Sequence, residues 1–83
     1  MTEPPVTFAS LLRRLRREAR LTQEELAEAA TLSVRAVSYL EAGVVTSPQK
    51  DTMRLLADAL GLIGPARAGF EAAGRATAAV GAG

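Results

Sequence analysis

The chain has no cysteine, no histidine and no tryptophan, and aromatic residues make up only 4% of it. Each absence removes a class of chemistry. Without thiol or imidazole there is no thiolate nucleophile, no Cys/His zinc site and no histidine base, and no disulfide supplements the core. That argues against a disulfide-stapled secreted scaffold. No apolar run approaches the roughly 18 residues of a membrane span, and the opening MTEPPVTF lacks the basic-then-apolar order of a secretory signal. A soluble, cytoplasmic protein is expected, with no cofactor, metal or membrane partner. What remains is 83 residues, 48% of them hydrophobic. This suffices for one small, almost wholly aliphatic core that buries about 60–65% of the unfolded surface.

Charge is balanced in sum and uneven in place. The formal net charge is +1, too small to announce a polyanion ligand by bulk electrostatics. Residues 11–20 carry Arg13, Arg14, Arg16, Arg17 and Arg20 against Glu18 alone, a local +4. One segment thus holds all the excess, and its simplest reading is a solvated helix face. Phosphate contact and an anionic membrane surface are the other uses of such a cluster. Glu24, Glu25 and Glu28 resemble a carboxylate group of the catalytic kind, yet they fall in the first turns of an expected helix, where negative charge suits the dipole. No enzymatic activity is expected.

Hydrophobic spacing organises the chain into helices. Residues 1–6, with Pro4-Pro5, read as a loose arm. From about Thr7, Phe8, Leu11, Leu12, Leu15 and Ala19 share one helical face. Arg13, Arg17 and Arg20 point away from that face, while Arg16 sits on its border. Thr22 with Glu25 is a capping box and Leu21 with Leu26 a staple, which predicts a second helix over Gln23 to Ala30. Ser33 is the next N-cap, with Leu32 and Val37 as a second staple, and Val34 to Glu41 follows as a two-turn helix closed by Gly43. Only Ala30, Thr31 and Leu32 separate the two, so these helices must turn sharply and pack near a right angle. After a loop over Val44 to Pro48, Met53, Leu56, Ala57 and Leu60 give a fourth helix, about Lys50 to Leu60, ended by Gly61. Gly64-Pro65 opens a weaker fifth helix, with Ala66, Phe70 and Ala73 on one face, extending to about Gly74. The domain boundaries expected are an arm at 1–6, a domain at 7–74 and an Ala/Gly-rich tail or linker at 75–83.

Two short capped helices joined by about three residues, with an amphipathic helix on each side, are the arrangement that presents a helix to a DNA groove. At Gln23 to Ala42 the likeness becomes specific. QEELAEAATLSVRAVSYLEA, with the preceding LRRLRREARLT and the following Gly43, resembles the helix-turn-helix of the Xre/Cro/CI-type repressor family over about Phe8 to Phe70. The likeness rests on Gln23 opening the motif, on Leu26-Ala27, on Leu32, Val37 and Leu40, and on Glu41-x-Gly43. Small Ala27 falls where the second helix crosses the third. The runs LLADALGL and GPARAGF look like those of N-terminal DNA-binding segments in regulators of high-GC bacteria, where a larger regulatory region often follows the tail.

The resemblance implies a compact five-helix, all-α, lambda-repressor-like domain whose third helix, Val34 to Glu41, enters the major groove of double-stranded DNA. It would expose Ser33, Val34, Arg35, Ser38 and Tyr39 to the DNA. Arg35 can read guanine O6 and N7 together or grip a phosphate, and Val34 can touch a thymine methyl. Gln23, at a helix N-terminus, resembles the family glutamine that bonds the phosphate backbone, and Lys50 joins it as a nearby cation. Ser33 serves as cap and as contact, and Tyr39 either stacks on a sugar or lies under the loop. Arg16 and Glu41 match a family ion pair that ties the first helix to the third, so Arg16 is not counted toward DNA.

Three positions depart from the pattern. Thr31 and Arg20 stand where glycine is common, so each carries strain or changes its turn. The loop after the third helix reads Val44-Val45-Thr46-Ser47 where relatives are often basic. Few cations then face phosphate, which favours a homodimer or a tethered module. Val44, Val45 and the Ala-rich tail are the expected self-association or partner surface. A different class of function fits the same loop: a helix-turn-helix used as a protein-interaction module, adaptor-like or antitoxin-like, with weak DNA affinity.

Overall fold

Three hydroxyl side chains open three helices. Thr7 Oγ1, Thr22 Oγ1 and Ser33 Oγ accept hydrogen bonds from the amides of Ser10, Glu25 and Ala36 at 3.1, 3.0 and 3.0 Å, which satisfies one orphan donor in each first turn. They start α1 (Phe8–Glu18), α2 (Gln23–Ala30) and α3 (Val34–Ala42). At α2 the bond is reciprocated, the Thr22 amide donating to Glu25 Oε1 at 2.9 Å. α4 (Lys50–Ala59) starts from Gln49 without a side-chain cap, and α5 (Gly64–Ala82) begins at Gly64-Pro65 and continues past Gly74. The computed structural model describes residues 7–44 and 48–82, except for the side chains of 76–82. The expected arm at 1–6, most of the loop, including Val45, Thr46 and Ser47, and Gly83 lie outside the described residues.

Four helix ends share one device. After α1, α2, α3 and α4 the chain enters the left-handed region at Arg20, Thr31, Gly43 and Gly61, with φ of 60°, 56°, 76° and 70°. The next amide reaches back in each case: Leu21 to Arg16, Leu32 to Ala27, Val44 to Tyr39 and Leu62 to Ala57, at 2.8 to 3.1 Å. This closure satisfies carbonyls that the helix leaves open. Two of the four positions are not glycine. Arg20 and Thr31 keep the geometry a glycine would adopt freely, at a cost of order 1 kcal/mol each. Thr31 Oγ1 donates to the Ala30 carbonyl at 2.5 Å.

The apolar residue after Arg20 and after Thr31 explains why the strain is borne. Leu21, Leu32 and Leu62 all pack against the core, so each tight reversal delivers an anchoring side chain. Val44 is the exception, 66% exposed.

That core is aliphatic with two aromatic rings. Leu12, Leu26, Val37 and Leu56 are fully buried, and Ala27 and Ala30 are small enough to let α2 lie close on its neighbours α3 and α4. α1 packs on α3 and α5, and α4 packs on α5. Phe8 and Phe70, with ring centroids 5.3 Å apart and tilted by 43°, join the start of α1 to α5. A Cβ at Gly74 would come within 2.6 Å of Met53 Cε. The end of the Met53 side chain therefore occupies the space beside Gly74.

Among the described residues the fold is all-α, five helices without a strand, with α2 and α3 as a helix-turn-helix. No helix among them is long and apolar enough to cross a membrane.

Candidate nucleic-acid interface

The register of α3 decides which side chains reach water. Val37 and Leu40 are buried against α1 and α2. The same register turns Ser33, Val34 and Arg35 outward, with Ser38 half-buried one turn later and Tyr39 beside it. Val34 and Tyr39 are 44% and 42% exposed.

Arg35 and Tyr39 are four residues apart and therefore neighbours on the helix surface. The Arg35 guanidinium carbon stands 6.0 Å from the centroid of the Tyr39 ring, at the outer limit of a cation–π contact. The ring lies against the cation on the outer face of α3 and gives the guanidinium a preferred direction.

Behind that face lies a polar network. Arg16 Nε donates to Glu41 Oε2 at 2.6 Å and Arg16 Nη2 donates to Glu41 Oε1 at 3.0 Å, a two-pronged pair. The remaining prong, Nη1, donates to the Leu21 carbonyl at 2.9 Å. Gln23 Nε2 donates to Glu41 Oε1 at 3.1 Å. Glu41 is 4% exposed, and among the described residues no buried side-chain nitrogen or oxygen is left without a partner. The bond to Glu41 pushes the Arg16 guanidinium further above its already high ordinary value, against the opposing effect of burial. Glu41 thus fastens α1 and the start of α2 to the end of α3, and Arg16 ties in the turn after α1.

Two of these links have no counterpart in the sequence pattern, Gln23 to Glu41 and Arg16 to the Leu21 carbonyl. The Gln23–Glu41 bond spans 18 residues, and no local pattern points to it. The Arg35–Tyr39 contact was not drawn from the sequence either, although the two stand at i, i+4. Gln23 is not free: one amide hydrogen goes to Glu41, and a second is left to donate.

An open cleft lined by Thr22, Gln23, Glu24, Arg16 and Val34 joins the α2 N-terminus to the start of α3. At this end the Thr22 cap takes the Glu25 amide, while the Gln23 and Glu24 amides precede the first intrahelical bond. Such donors suit an anionic oxygen. Ser33, Val34 and Gln23 therefore border one surface with Arg35, Ser38 and Tyr39. Lys50 is exposed at the first turn of α4 and makes no ion pair among the described residues. Arg54, one turn on, is 3.7 Å from Asp51.

Residues 7–70, most of the chain, match the family model described as a helix-turn-helix domain. That stretch ends at Phe70, the partner of Phe8 in the ring contact that closes the core. No curated protein and no solved structure matches the chain.

Proposed function

The chain belongs to this helix-turn-helix domain family, a membership that points to DNA binding in general, and on that premise we propose sequence-specific binding of double-stranded DNA in transcriptional regulation. In this reading α3 lies in the major groove, as in the Xre/Cro/CI-type repressors its sequence resembles. The observation that carries it is the outer face of α3: Val34, Arg35 and Tyr39 exposed together on a helix whose other side is locked into the core. Arg35, braced by Tyr39, reads guanine O6 and N7, and Val34 meets a thymine methyl. Ser33 and Ser38 contact base edges or the adjacent backbone. Gln23 spends one amide hydrogen on Glu41 and offers the other to a phosphate, beside the free amides of α2.

Electrostatics set how tightly one copy holds. Arg16 is committed to Glu41, so this reading sets only Arg35, Lys50 and Arg54 near the groove against phosphate, the other exposed arginines of α1 lying outside it. Few phosphates neutralised means weak non-specific affinity and a shallow salt dependence. A homodimer on two half-sites about 34–36 Å apart would supply the rest.

One observation favours a second reading. Val44 follows its left-handed residue as Leu21, Leu32 and Leu62 follow theirs, yet it is 66% exposed instead of packed. An apolar residue where a cation would grip phosphate, in a chain of net charge +1, suits a protein-interaction module with little affinity for DNA. Selection from a random duplex library, followed by salt titration of the enriched sequence, separates the two. Enrichment of a half-site or palindrome supports DNA reading; no enrichment at low salt makes the interaction module the better account.

A further inference from the structure

A second concave surface lies between α1 and the start of α5. It is lined by Leu11 and Leu15, both half-buried, and by exposed Pro65, Ala66 and Gly69, over the buried ring of Phe70. The groove is open at Gly69, where an added Cβ would meet no atom within 4 Å. Ile63, two residues before Pro65, is 80% exposed. Apart from Arg14 the lining is apolar.

One cation, Arg14, stands on its rim, with Arg17 and Arg13 further round α1. Arg14 lines this groove and also a neighbouring hollow along α1 shared with Arg13 and Arg17. The single carboxylate there is Glu18, 3.7 Å from Arg14 in a pair whose side chains are 60% and 64% exposed. Such a pair holds its arginine only loosely. Arg13 and Arg17 make no ion pair among the described residues. Arg14 and Arg16, two positions apart, leave the helix about 160° from each other. The groove therefore sits away from the Arg16–Glu41 network, and an occupant need not touch α3.

We infer that the α1–α5 groove is a docking site for an acidic amphipathic helix of a protein partner. Apolar side chains one turn apart on the guest seat between Leu11, Leu15 and Phe70, in the manner of a helix laid in a groove. Its flanking carboxylates meet Arg14, Arg13 and Arg17. The apolar floor disfavours a nucleic-acid backbone, and the recess, unlike a protruding wedge, suits an inserted side chain better than a lipid surface.

The test is fluorescence polarisation of the full chain with a labelled amphipathic peptide of about 16 residues, leucines at spacings of three and four and glutamates elsewhere. Two companion peptides replace every Glu by Lys or every Leu by Ser. The glutamate–leucine peptide is expected to bind, and each companion at least about tenfold more weakly. Gly69→Glu, which adds a carboxylate to the groove where there is room for it, is expected to weaken binding about tenfold or more while the thermal midpoint holds. Arg14→Glu is expected to do the same, and Gly69→Ala to leave binding intact. Equal binding of the serine peptide, no binding of any peptide, or indifference to Gly69→Glu overturns the proposal. Two further outcomes also overturn it by giving the groove another occupant: co-sedimentation with phosphatidylglycerol vesicles, or concentration-dependent self-association, either one abolished by Gly69→Glu.

Discussion

Substituting Arg16→Met keeps most of the side-chain stem and removes the charge that Glu41 depends on. Glu41 is 4% exposed and takes two of its hydrogen bonds from Arg16 and one from Gln23. In the variant a carboxylate stays buried with Gln23 as its remaining side-chain donor, and the Leu21 carbonyl loses its Nη1 donor. Breaking a buried pair from one side costs about 3–5 kcal/mol, because the surviving charge has no water to return to. A chain of this length has only about 4–12 kcal/mol of stability in total. The thermal midpoint should fall by about 15–30 °C, read by circular dichroism at the helix band and checked by urea denaturation. The double variant Arg16→Met with Glu41→Leu should recover most of the loss, since an apolar pair of similar volume removes the uncompensated charge. A loss below about 1 kcal/mol in the single variant is what an exposed pair gives and would refute the claim that this network locks the helices together.

Other substitutions probe separate parts of the fold. Arg67→Ala removes a bond to Asp58 as short as 2.7 Å, but both side chains reach water; the midpoint should stay near the parent's, and a collapse would mean that exposure is a poor guide to the worth of a pair. Arg20→Gly and Thr31→Gly relieve left-handed backbone at φ of 60° and 56° and should each raise stability by about 0.5–1 kcal/mol in urea titrations. A loss at both positions would show that the turns are relaxed as they stand. On an enriched duplex, Arg35→Ala should relax one base position at a cost of about 1–3 kcal/mol, whereas Lys50→Ala should weaken all sequences alike and lower the salt slope by about 1. The opposite assignment would move the reading role away from α3.

How much of this was legible in the sequence depended on distance along the chain. Local signals translated directly: the Thr22/Glu25 box and the Ser33 cap stand where the spacing placed them, and α2 spans the expected residues. Thr31 and Arg20 presented a choice between strain and a new turn, and the structure keeps the turn. The reason lies one residue further on, in Leu21 and Leu32, whose burial the reversal makes possible. The apolar face of α5 carries only to about Gly74 and leaves the tail open as a helix end or a linker; Ala-rich sequence continues a helix without an apolar stripe, and it runs to Ala82. The part of the site that depends on tertiary meeting was the least legible. Gln23 reads as a phosphate ligand by motif alone, and only the fold shows it bonded to Glu41. The α1–α5 groove had no sequence signature, because Leu11 and Leu15 look like ordinary core positions until α5 leaves them half-covered.

The claim on which the account turns is that the outer face of α3 is what touches DNA. Amide chemical-shift mapping of the labelled chain, titrated with an enriched duplex, addresses it residue by residue. The largest changes are expected at Ser33, Val34, Arg35, Ser38 and Tyr39, with Gln23 following at the start of α2, while Ala66 and Gly69 in the α1–α5 groove remain still. Changes concentrated at Arg13, Arg14 and Arg17 with α3 silent would contradict it, since DNA would then be held by the arginine face of α1 and the exposed side of α3 would have no part in reading it.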